Sequence, residues 1–134
     1  MHGVAAYQDA ARAADRALDA DPEDAELNVI AGEARTALGE DEAALDYYNL
    51  ALHYDPTNEA ALNGRVRSLA RLGRAHEIPN TYLEFLKATP THRDALYALA
   101  LDAEERGDFK EAGRLLERLL DRHPDDVDSL NLLG

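Results

Sequence analysis

The chain has no cysteine, which excludes disulfide bridges and thiolate metal sites. It has no unbroken apolar run of the ~18 residues that a membrane-spanning helix requires, so insertion into a membrane is not expected. Lysine is almost missing, with Lys87 and Lys110 standing against twelve arginines. Positive charge is scarce altogether: 14 Lys and Arg face 27 Asp and Glu, for a net charge of −13. A surface that acidic repels phosphate backbones and anionic lipid, so nucleic acid is not an expected partner either. The Asp-rich, Lys-poor balance fits a salt-adapted source and equally a GC-rich genome. No secretory signal pattern is visible, and the compartment is left open.

Catalytic signatures are missing too. His2, His53, His76, His92 and His123 stand apart from one another, and none has the i, i+4 spacing with a helical Glu that a zinc hydrolase would show. His92 and His123 sit beside prolines, where a capping or solvated role is expected. The carboxylates are spread along helical segments, with no pair singled out for the burial that acid–base chemistry needs. There is no phosphate loop, dinucleotide fingerprint or nucleophile elbow. No enzyme activity, metal or cofactor is expected.

What is present is a period. Pro22, Pro56, Pro90 and Pro124 recur every 34 residues, and Gly39, Gly73 and Gly107 keep the same step. A fixed period of this size marks a stacked-repeat architecture. Within each period the apolar residues recur at helical spacing. A first helix over residues 7–20 is closed by Asp21-Pro22. Residues 25–38 and 42–54 form a pair, with Asp24 as N-cap, Gly39 closing the first helix and Asp55-Pro56 the second. Residues 59–72 follow, capped by Asn58 and closed by Gly73. Pro79 then allows a regular helix only over residues 79–88, after a loose lead-in at 74–78. Residues 94–106 and 110–122 form the next pair, and residues 127–134 start another.

The chain resembles tetratricopeptide repeats along its whole length. Leu130, Leu133 and Gly134 match the opening of that pattern, Gly32 its glycine, and Leu96 and Leu99 its apolar pair. On a second helix, Ala44, Tyr48, Ala51 and Pro56 match in full. The departures are Arg35 in place of an aromatic, Arg65 at a core place, and Val66, Ile78 and Phe85 where small residues belong. With Pro79, these make the middle unit irregular. The resemblance implies an all-α fold, a right-handed superhelical solenoid of antiparallel helix hairpins. It would hold about three full repeats plus partial repeats at both ends: 1–24 as a second helix, 25–58, the irregular 59–92, 93–126, and 127–134 as the start of a further unit. The chain opens in mid-unit, so a longer natural array is expected.

In such a fold the first helices line a concave groove. Helical spacing selects Val29, Glu33 and Thr36 (with Ala37) from the first full unit. It selects Asn63, Arg67 and Arg71 (with Ala70) from the second, and Tyr97, Leu101 and Glu104 (with Glu105) from the third. Arg67 and Arg71 stand four apart, so both guanidinium groups face one way. With Tyr97 and Leu101 as an apolar shelf, the groove would suit a partner peptide that carries an acidic group and an apolar anchor. Their alternative role is to pair with Glu33, Glu104 or Glu105 and hold the stack. The clamp that some members use for a terminal carboxylate is not expected, because its places hold Val29, Glu33, Asp94 and Ala98. The expected function is therefore a non-catalytic protein–protein interaction module. One alternative is a spacer that self-associates into a homo-oligomer through its ends, with Ala10, Ala14 and Ala17 meeting Leu130 and Leu133 of another copy. Another is the accessory array of a larger enzyme.

Overall fold

The computed structural model describes residues 2–134, and for His2 the backbone only; Met1 and the His2 side chain lie outside the described residues. Every regular element among the described residues is helical. The chain divides into two compact units, residues 1–78 and 79–134.

The first unit holds α1 (His2–Ala20), α2 (Ala25–Ala37), α3 (Asp41–Tyr54), α4 (Glu59–Arg71) and a 3-10 turn (Ala75–Glu77). The second holds α5 (Ile78–Ala88, whose first residue belongs to the first unit), α6 (Arg93–Glu105), α7 (Phe109–Arg122) and α8 (Val127–Leu133). Helix α1 starts five residues earlier than its apolar spacing alone suggests, because nothing in the sequence before Tyr7 breaks it. The 3-10 turn and the start of α5 at Ile78 agree with the reading of Pro79. In the first turn of a helix the missing proline N–H removes no intrahelical bond.

Two kinds of turn, each repeated, set the helix ends. Gly39, Gly73 and Gly107 adopt φ of 77°, 73° and 78°. At each glycine the next amide reaches back to the same carbonyl. Glu40 donates to Arg35 O at 2.9 Å, Arg74 to Leu69 O at 2.8 Å and Asp108 to Ala103 O at 2.8 Å. This closure satisfies carbonyls that the helix end would leave free. The proline turns are alike in the same way. The residue before each of Pro22, Pro56, Pro90 and Pro124 accepts from the amide of the next cap, Asp24, Asn58, His92 or Asp126. Each cap side chain then accepts from an amide of the first helical turn, at 2.9–3.2 Å. His92 does this with Nδ1, the capping role that its place beside Pro90 suggested.

Packing follows from small residues at helix contacts. Helices α2, α3 and α4 pack on one another, and α1 packs on α2. Tyr48 of α3 is fully buried, with Gly32 of α2 and Gly64 of α4 against its ring; its hydroxyl lies 3.2 Å from Thr36 Oγ1. In the second unit, Leu96, Leu99, Ala100 and Ala103 of α6 and Ala112, Leu115, Leu116 and Leu119 of α7 are all buried.

The second unit also links α6 to the cap of α8. Arg93 Nε and Nη2 donate to the two Asp126 oxygens at 2.6 and 3.1 Å, while Asp126 Oδ1 caps α8 through the Ser129 amide at 3.0 Å. The Arg93 hydrogen bond, then the Ser129 amide, hold the Asp126 carboxyl well below the usual carboxylate range. A depressed folded-state pKa stabilises above the unfolded value of about 4 and is lost as pH falls beneath it. The Ser129 amide resonance is therefore expected to stay in place at pH 4 and to move only in stronger acid. Asp126→Asn should keep the cap and remove that transition. A midpoint near pH 4 in the parent protein would contradict the linkage.

Candidate functional site

The residues expected to line a groove do not share one environment. Helix α2 turns Asn28, Val29, Ala31, Gly32 and Ala34 inward. Its exposed stripe is Glu26, Ile30, Glu33 and Ala37. Val29 is core, in a cluster with Ala51 and Ala61, and this corrects its assignment to the groove. The contact with α3 and α4 rotates the solvent stripe one residue onward, to Ile30, which is 50% exposed. Sequence reasoning missed Ile30, and its i, i+3 and i, i+4 relation to Glu33 and Glu26 was the available signal. Thr36 is a second correction. It is half-buried, and its hydroxyl bonds Gly32 O at 2.9 Å and meets Tyr48, so it is engaged inside the unit.

Helix α4 packs against α2 and leaves Asn63, Arg67, Ala70 and Arg71 exposed along one side, away from the buried Ala61, Leu62, Gly64, Ser68 and Leu69. Arg71 Nη1 lies 3.5 Å from Asp41 Oδ1, a long contact for a side chain half in solvent. Its partner is thus an acid of α3, not one of the glutamates considered from sequence. Arg67 makes no ion pair among the described residues. Exposed pairs of this kind contribute about 0–1 kcal/mol, so Arg71 can exchange partners at little cost.

In the second unit Tyr97 is half-buried, with the Arg93 guanidinium 4.6 Å above its ring. One face of this expected shelf residue is therefore already covered by a cation. Leu101 is 38% exposed. Glu104 is half-buried and borders a cavity of about 140 Å³ shared with Phe109, Gly113, Leu116 and Leu133.

The proposed end contacts also differ among themselves. Ala14 is buried, its face covered within the first unit, which corrects its assignment to self-association. Ala17 is half-buried and Ala10 exposed. Leu130 and Leu133 are 48% and 47% exposed.

Arg35, which stands where an aromatic was expected, is accommodated by charge. Its Nη2 meets Asp15 Oδ2 at 2.6 Å and its Nη1 meets Glu40 at 3.2 Å. Tyr47 donates to Asp15 Oδ1 at 2.7 Å, and burial together with that bond pushes the Tyr47 phenol up.

No described helix is long and apolar enough to cross a membrane. Two family models match, both for the tetratricopeptide repeat, over residues 6–60 and 93–134. No match is found among curated proteins. Among solved structures, a tetratricopeptide repeat protein from Parabacteroides merdae is similar with a TM-score of 0.75 at 22% identity, over 94% of this chain and 50% of its own. MamA is similar with a TM-score of 0.69 at 19% identity, over 96% of this chain and 75% of its own. YrrB, a TPR protein with an unusual peptide-binding site, is similar with a TM-score of 0.62 at 23% identity, over 93% and 64%. At these identities the likeness is one of fold.

Proposed function

Because the chain belongs to the tetratricopeptide repeat family, we propose that it is a non-catalytic interaction module that holds a segment of a partner protein on the exposed side of α2 and α4. The observation that carries this reading is Arg67. It is an exposed arginine without an ion pair among the described residues, flanked by Asn63 and Arg71, in a protein of net charge −13. Arginine presents a planar fork of donors that suits a carboxylate, and Arg71 can add a second fork. Ile30 on α2 and Ala70 on α4 supply exposed apolar surface. The partner segment is therefore one with an acidic side chain or terminus and an apolar residue. The similarity to a peptide-binding TPR protein supports a peptide ligand in kind, not in identity.

The test is charge reversal. Arg67→Glu with Arg71→Glu, both exposed, should leave the helical circular-dichroism signal intact. Captured from lysate of the source organism, a partner held by the parent should be lost by the double variant, and its isolated segment should bind at least tenfold more weakly. If both baits retain the same proteins, the α2/α4 reading fails. If both retain only further copies of the bait, self-association takes its place, with exposed Phe109, Leu130 and Leu133 as the residues to examine.

A further inference from the structure

A pocket of about 280 Å³ opens in the first unit between α1, α2 and α3. It lies on the other side of α2 from Ile30, because its floor residue Asn28 is two positions, or ~200°, around the helix. Asn28 Nδ2 donates to Asp24 O at 2.9 Å and Pro22 O at 3.3 Å, which fixes the turn that forms one rim. The walls are apolar: Leu18, Pro22 and Leu50, the last 42% exposed.

One corner of the pocket is built for positive charge. Asp15 accepts from Tyr47 on one oxygen and from Arg35 on the other. A carboxylate has about four lone-pair sites, so each oxygen keeps one unused. Asp19 stands one helical turn on, at i+4, and faces the same pocket. It is exposed and makes no ion pair among the described residues. Of these two carboxylates Asp15 meets a guanidinium and Asp19 does not, so the local excess is negative, as it is for the whole chain.

We propose that this pocket receives a lysine side chain of a partner protein. Its four methylenes would lie along Leu18, Pro22 and Leu50, and its ammonium would sit between Asp15 and Asp19. A long aliphatic stem with a charged head buries the stem and keeps the head among polar groups. A compact ammonium fits this corner better than a second guanidinium, because Arg35 and Tyr47 each already take one Asp15 oxygen and leave no free pair of oxygens for a planar, bidentate fork. The inference does not depend on the α2/α4 face.

The experiment is a methyl and amide NMR titration of the intact chain with the capped peptide Ala-Ala-Lys-Ala-Ala. Shifts are expected at the Leu18 and Leu50 methyls and to weaken with added salt. Asp19→Asn should weaken binding at least fivefold, and Leu50→Ser, which leaves the charges alone, several-fold. Both positions are solvent-exposed, and circular dichroism checks that each variant folds. The same peptide with norleucine for lysine should cause no shifts, and the arginine peptide should bind more weakly than lysine. Three results would overturn the assignment. They are shifts spread evenly over the acidic surface and unchanged in both variants, equal binding of the norleucine peptide, or tighter binding of the arginine peptide.

Discussion

Gly64→Ala is expected to lower the stability of the protein by about 2–3 kcal/mol, roughly 10 °C in melting temperature, although it adds one methyl group to a helix. In most helices that exchange stabilises, since glycine carries a helix penalty of about 1 kcal/mol. Here a Cβ on Gly64 would stand 2.3 Å from the ring of Tyr48, and one on Gly32 would stand 2.8 Å from it. The ring has no room to retreat, because Tyr48 is fully buried and bonded at its hydroxyl end to Thr36. Either α4 moves away or the ring leaves its rotamer, and both lose contacts in a close-packed interior. Gly113→Ala in α7 is the control. A Cβ there meets nothing within 4 Å, so the exchange should stabilise by about 0.5–1 kcal/mol. Denaturant midpoints of both variants measure the contrast. Tyr48→Leu combined with Gly64→Ala should recover at least ~1 kcal/mol relative to the sum of the single effects. Simple additivity would mean that the Gly64 site is not limited by the ring.

Gly64 also marks what was legible in the sequence. The helix pairs, the proline turns and the three left-handed glycines follow from local chemistry: a missing N–H at proline, a missing Cβ at glycine, a side-chain acceptor at each cap. These act within a few residues and repeat every 34, so the sequence alone places each within a residue or two. The role of Gly64 depends on a ring 16 residues away on another helix, and nothing local distinguishes it from a weak helix residue. The exposed side of α2 and α4 was legible only in part, for the same reason. Arg67 and Arg71 were placed correctly on one exposed side of α4 because a helix fixes its own spacing. Val29 and Ile30 were exchanged because neighbouring positions differ by ~100° around the axis, and contact with α3 and α4 decides which one reaches solvent. Ala14 was misread likewise, since an alanine stripe does not reveal whether its own chain covers it. From sequence Arg35 was only a departure from an expected aromatic. The pair with Asp15, 20 residues earlier on α1, shows how a charged residue fills that place.

Leu119→Ala should cost about 3 kcal/mol, and Leu119→Met less than about 1.5 kcal/mol. Helix α7 buries Ala112, Leu115, Leu116 and Leu119, the i, i+3, i+4, i+7 stripe of one helix face, against the inner side of α6. Leu119 is fully buried, in a unit whose buried residues include Ala95, Ala100, Ala103 and Ala112, short side chains that cannot extend to fill a void. Truncation therefore leaves a cavity with little relaxation, which is the costly end of the range. Leu130→Ser, at a half-exposed position, should change the midpoint by less than about 0.5 kcal/mol. The Leu119 variant also separates the two units in function. Its lesion lies in residues 79–134, whereas Ile30, Asn63, Arg67 and Arg71 belong to residues 1–78. Below its lowered unfolding transition, Leu119→Ala should bind the partner segment as the parent does, while Arg67→Glu with Arg71→Glu does not. Loss of binding in the Leu119 variant under those conditions would instead place part of the recognition surface among Tyr97, Leu101 and Glu104 of the second unit.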